Sequence, residues 1–361
     1  MHDSTTDTDA ADGTGSDETD AGVEGTDGPE ERPDDEPLDG LAVEEAAERV
    51  RAREPDRDPE TVRDALSFVA DDGVVGREAL QESLKLTSKV LTTAETRAEL
   101  ATIALDDARE AAESVPDLPT VRARLDGFEA EVAAVEDRAA ALGADLQAVL
   151  DDREDPVARF AVADGLRRVD EDARAVQRTA DELQFDLEDF ERWLTSHAVR
   201  VRELGEDIDA LAASLDDLAT AVDAVEAAVD AGPEATGGDA AADDPARVWF
   251  DATLSHRATG LTVADLRAEL GDLRTWADRA DADSVEEGGL DDLAGRLDDL
   301  AGRHESLGQR LDAAAEPAWT DRLGDRVAAV ESGLDDCEPP VDWGVVGSVL
   351  DEHRGDLGSG T

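Results

Sequence analysis

The chain has 361 residues, 93 acidic against 34 basic, a net charge of −59 and a single cysteine, Cys337. One cysteine excludes an intrachain disulfide and any multi-cysteine zinc site. The longest apolar runs are a few residues, far short of the ~20 needed to cross a bilayer, and the first residues are acidic where a signal peptide is basic, so no membrane insertion and a cytoplasmic location are expected.

Acidity on this scale repels itself unless salt screens it, which happens within roughly 3 Å at 1 M. The composition therefore predicts a halophile's cytoplasm and says little about partners. Only two residues are lysine, Lys85 and Lys89, and tyrosine is absent. Aromatic residues make up 3% of the chain, so a core of small aliphatic side chains and thin helix packing is expected in place of a large enzyme core.

Residues 1–39 hold 15 acidic residues, one Arg and almost nothing to bury, which predicts a disordered acidic tail. A short helical cap over 40–76 comes next, with one helix near 41–54 and a second beginning after Asp58, an N-cap followed by Pro59. "DDGVVG" then reads as a loop.

From Leu80 to Val115 apolar residues recur in steps of four and three, a heptad seam that the prolines of "VPDLP" end. A second seam runs from Val121 to Val149, and "REDP" stops and restarts it, with Asp155 as N-cap. The third seam, Val162 to Val229, fills nineteen of its twenty positions with apolar residues and the remaining one with His197. A helix over about 156–230 would be about 110 Å long. The fold expected over 77–230 is a coiled-coil three-helix bundle whose third helix runs on past the bundle.

A polar linker is expected at 231–245, then a helical segment over 246–338 with helices near 262–281 and 318–336, and a short terminal helix and tail over 339–361. Within that segment "LDDLAGR" occurs twice in tandem, and the seam from Leu290 to Leu311 again contains one histidine, His304. The fold class is thus all-α: elongated antiparallel helical bundles sharing one long central helix, an architecture similar to that of spectrin-type repeats.

The spacing of the polar residues points to no site of chemistry. Neither lysine follows a glycine in a phosphate-binding loop. "HESLG" lacks the second histidine of a zinc-protease helix, and the acidic runs fail calcium-loop spacing. No nucleophile elbow occurs, and Cys337 has no plausible histidine partner. The helices at 58–90 could form a small DNA-binding unit, but their charge is not clustered basic and a cap on the bundle end fits better, so nucleic acid is disfavoured. The expectation is no catalytic residue, no cofactor and no metal. His197 and His304 are left as candidate polar seam positions: either satisfied core imidazoles, or register-setting or pH-sensitive contacts. Trp193 and Trp276, beside seam positions, are expected to be packing anchors.

The segment "LSFVADDGVVGREALQESLKLTSKVLTTAETRAELA", residues 66–101, resembles a stretch in haloarchaeal coiled-coil proteins of unknown function, some labelled halo transducer protein. That resemblance implies a signalling role like that of chemoreceptor cytoplasmic domains. From the residues themselves, the expected function is a non-catalytic scaffold or adaptor that binds protein partners through helical seams, a second copy of the chain among them. A soluble signalling accessory and a chromosome- or envelope-associated structural protein are the alternatives.

Overall fold

The computed structural model describes residues 37–151, 158–231, 244–279 and 288–355. The expected tail over 1–36, the Asp155 cap and most of the expected linker lie outside the described residues. Those described form ten helices and one hairpin of two-residue strands, so the chain is all-α. None of the described helices is long and apolar enough to cross a membrane. The chain divides into two compact units, residues 1–80 with 152–163, and residues 81–151 with 164–361.

In the first unit, α1 (Val43–Arg53) and α2 (Pro59–Phe68) bury Ala46, Ala47, Val50, Val62, Ala65 and Leu66. Asp58 caps α2 by accepting from the Thr61 amide at 2.8 Å, and that bond holds its carboxyl below the ordinary carboxylate range. "DDGVVG" is not a plain loop. Asp72 and Gly73 both take positive φ, 47° and 77°, as a two-residue hairpin turn requires, and they join β1 (Ala70–Asp71) to β2 (Val74–Val75). The period-2 signal of two-residue strands is too short to read from sequence. The tail also ends earlier than expected, because Leu38 is buried and Asp39 grips Arg159, a fully buried guanidinium, at 2.7 and 2.9 Å. A bidentate carboxylate is what allows such a charge to leave water.

The second unit holds α4 (Pro119–Asp151) and, from Gln81 and Asp164 on, α3 (Arg77–Glu113) and α5 (Arg159–Thr195), and the three form an up-down-up bundle. Antiparallel α3 and α4 are tied by Thr102 to Glu136 and Arg109 to Glu129, while parallel α3 and α5 are tied by Gln177 to the Val90 carbonyl and Arg97 to Asp181. Beyond it, α6 (His197–Ala231), α7 (Pro245–Arg279) and α8 (Gly288–Ala314) make a second three-helix bundle. The "LDDLAGR" repeat contributes two rungs of a ladder along parallel α6 and α8, Arg296 to Asp209 and Arg303 to Asp216, and Arg310, seven residues beyond the repeat, adds a third to Asp223. On the α7 side, Arg267 meets Asp298 and Arg274 meets Asp291, again seven apart but antiparallel.

The helix expected near 262–281 begins at Pro245. Its added half buries Trp249, Phe250 and Leu254, and it packs along α9 (Pro317–Leu334), where Trp249 and Trp319 lie 6.5 Å apart. This half serves two neighbouring helices at once, so it shows no single seam. α10 (Trp343–Gly355) folds back along α9, Arg326 donating to the His353 carbonyl, and is anchored to α7 by Asp265, which accepts from the Val341 amide and the Trp343 indole.

Candidate functional site

The third seam is buried at every position from Val162 to Leu194 and from Leu204 to Val225, and half-exposed between them at His197 and Val201. The backbone changes there too. The single long helix expected over 156–230 is two helices, α5 and α6, which meet at Ser196. Ser196 caps α6 through a long contact, 3.4 Å, from the Val199 amide to its hydroxyl. One turn on, Arg200 folds back, and its guanidinium donates to the carbonyls of Trp193 and Leu194 at 2.7 and 3.0 Å. An unbroken helix would use those acceptors for the amides of His197 and Ala198.

Around this break four helices, α4, α5, α6 and α7, converge on an aromatic row. Phe128 of α4 meets Phe190 at 5.3 Å, Phe190 stacks on Trp193 at 5.9 Å, and Trp193 meets Trp276 of α7 edge-on at 5.5 Å. Two guanidiniums close the row: Arg124 lies 4.4 Å above Trp193 and Arg200 3.8 Å above Trp276. Arg124 also bridges Glu203 of α6 and Glu269 of α7, so one side chain of the first bundle holds two helices of the second. Burial raises Glu269 and Asp207 above the ordinary carboxyl range, and burial lowers Arg200 to about 10. His197 stands at the edge of this cluster. Its Nε2 is buried with no hydrogen-bond partner among the described residues, and burial, then the charge of Arg200, hold its pKa below the ordinary imidazole value.

His304 lies elsewhere, well along α8, and the structure does not bring it to His197. It stacks on His256 of α7, ring centroids 3.9 Å apart and planes 7° from parallel. The contact is reciprocal: each Nε2 donates to the other's backbone carbonyl, His256 at 3.2 Å and His304 at 2.9 Å, which places the proton on Nε2 in both rings. Each ring also lies over a glycine four residues beyond its partner, His304 over Gly260 and His256 over Gly308. The signal is therefore H-x-x-x-G in both helices, "HRATG" and "HESLG". Sequence reasoning weighed the second as a metal motif and did not consider the first. The aromatic row offered less to read, since Arg124 and Arg200 look like ordinary surface arginines between heptad positions.

Two results test the histidine contact. A Cβ on Gly308 would sit 2.5 Å from His256 Nε2, whereas one on Gly302 in the same helix would meet nothing within 4 Å. Gly308→Ala is expected to destabilise by about 2 kcal/mol and Gly302→Ala to stabilise by about 0.5 kcal/mol; thermal melts that move both the same way would contradict the ring-over-glycine packing.

The second result is a pH dependence. Burial, then the neighbouring His304, lowers the pKa of His256 to about 4, while the carbonyl bond opposes the shift. A lowered imidazole pKa means the folded state resists protonation. Its contribution is present above about 6.5 and is lost as pH falls toward 4. Allowing for a half-buried ring, wild type is expected to lose about 1 kcal/mol more between pH 7 and 5 than His256→Gln. Identical pH profiles of the unfolding midpoint would refute it. Asp207 and Glu269, with raised values, act in the opposite direction in both proteins, so the difference isolates the imidazole.

The pair of histidines is used internally, carbonyl to ring and ring to ring. No group of three or more His, Cys, Asp or Glu side chains among the described residues is arranged to hold a metal ion. What this geometry can do is fix how helices pack: at the junction it sets the passage from one bundle to the next, and at the histidines the register of α7 on α8. No protein-family model, curated protein or solved structure matches the chain.

Proposed function

We propose that this protein is a non-catalytic helical scaffold that joins proteins in the cytoplasm of a halophile. The observation that carries the reading is the outward face of α3. Leu86, Leu100 and Ile103 are exposed there at 54%, 39% and 56%, in a chain whose other seams are turned inward. Single exposed apolar residues are ordinary, whereas a row of them at helical spacing on one face marks a contact surface. The polar chemistry at the junction and at His256 and His304 supports the same reading, because it fastens helix to helix.

Co-purification in about 2–4 M KCl tests it with the wild type and with Leu100→Asp. Proteins retained by the wild type and lost from the folded variant support a scaffold working through α3. Equal retention by both, or turnover of a substrate by the purified chain, refutes it.

A further inference from the structure

The outward face of α3 has a second heptad seam, distinct from the one in the core. Leu86, Lys89, Thr93, Thr96, Leu100 and Ile103 are separated by alternating steps of three and four, and all six are exposed. The hydroxyls along this face are turned back onto their own helix: Ser88 donates to the Leu84 carbonyl, Thr92 to Ser88, Thr93 to Lys89 and Thr96 to Thr92. With their oxygens engaged, Thr93 and Thr96 offer methyl groups to the outside. The row therefore presents more apolar surface than its sequence suggests.

Charge selects the occupant. From Ser83 to Ala104 the chain has three basic residues, Lys85, Lys89 and Arg97, against two acidic ones, Glu95 and Glu99, while the whole molecule carries −59. Over surface of the average composition two copies would bring like charges into direct contact, inside even a screening length of roughly 3 Å, and here they would not. The seam is also self-complementary. Set antiparallel about a two-fold axis between Thr93 and Thr96, it places Leu86 against the second copy's Ile103, Lys89 along its Leu100, and Thr93 against its Thr96. Arg97, beside the seam, is paired with Asp181 of α5 at 3.1 Å. One turn beyond Asp181 on α5, Phe185 is also 66% exposed.

We infer that α3 is a homodimerisation helix that pairs antiparallel with α3 of a second copy through Leu86, Thr93, Thr96, Leu100 and Ile103. This rests on the scaffold reading and specifies it: the first protein joined through α3 is the chain itself. The dimer makes a scaffold with two copies of the second bundle.

Sedimentation equilibrium of the full chain over about 1–100 μM, in about 2–4 M KCl, gives the test. The expected result is a dimer for the wild type and a monomer with unchanged helical circular dichroism for Leu86→Asp and for Ile103→Asp. Register is read by cross-linking in a Cys337→Ser chain. A mixture of Thr93→Cys and Thr96→Cys chains should form a covalent dimer under oxidation, and neither chain alone should. A Thr93→Cys chain that cross-links to itself indicates in-register parallel pairing and overturns the inference, as does a dimer that survives both aspartate variants. A wild type that stays monomeric, yet still carries proteins that Leu100→Asp loses, overturns the dimer and leaves the scaffold reading standing.

Discussion

Trp193→Ala is expected to cost about 4 kcal/mol of unfolding free energy, the largest loss from any single side chain at the junction. The indole is 1% exposed, with Phe190 stacked against one part of it, Trp276 edge-on to it and the Arg124 guanidinium over its face. Truncation leaves a cavity at a place where four helices meet, and they cannot close a void without moving as bodies. Guanidinium unfolding should show the loss as a lowered midpoint. A change below about 1 kcal/mol would mean that the junction does not couple the two bundles.

Arg200→Ala is expected to cost about 3 kcal/mol, while Arg202→Ala, two residues further on, should change stability by less than about 0.5 kcal/mol. Arg202 is exposed and faces Glu206 across 3.6 Å on the helix surface. Arg200 is buried, supplies hydrogen bonds to the Trp193 and Leu194 carbonyls, and lies on the face of Trp276. Its burial, visible in a pKa drawn down to about 10, is a desolvation penalty that the alanine relieves, so the net cost is smaller than the sum of the lost contacts. Equal effects of the two substitutions would show that Ser196 alone sustains the break. Because Trp193 and Arg200 share neighbours, the double variant should lose less than the two single losses together.

These two predictions concern residues whose importance the heptad count could not rank. The periodicity located the seam and its one interruption, His197, yet the residue that terminates α5 is Arg200, which occupies no seam position. A heptad pattern records which face of a helix is apolar, and an arginine that turns back onto carbonyls of its own chain looks like any surface arginine. His304 shows the same limit from another side. Its seam position was legible, and its partner His256 was not, because the half of α7 that carries His256 packs against α8 and α9 and has no single period.

The sequence by itself determined the all-α class, the acidic surface, the limits of α3 and α4 at "VPDLP" and the three long seams, since each follows from local rules of period, proline and charge. It also determined the seven-residue period of the arginine ladder, which the tandem "LDDLAGR" states outright. Only the tertiary structure decided that the long helix breaks at Ser196, that Arg124 fastens α6 and α7 to the first bundle, and that His304 stacks on His256 over a glycine. The last two depend on side chains from helices far apart in the chain, and the break, though made by Ser196 and Arg200 locally, rests on Trp276 of α7 beneath the guanidinium; such meetings are set by packing, which has no signature in any one window of sequence.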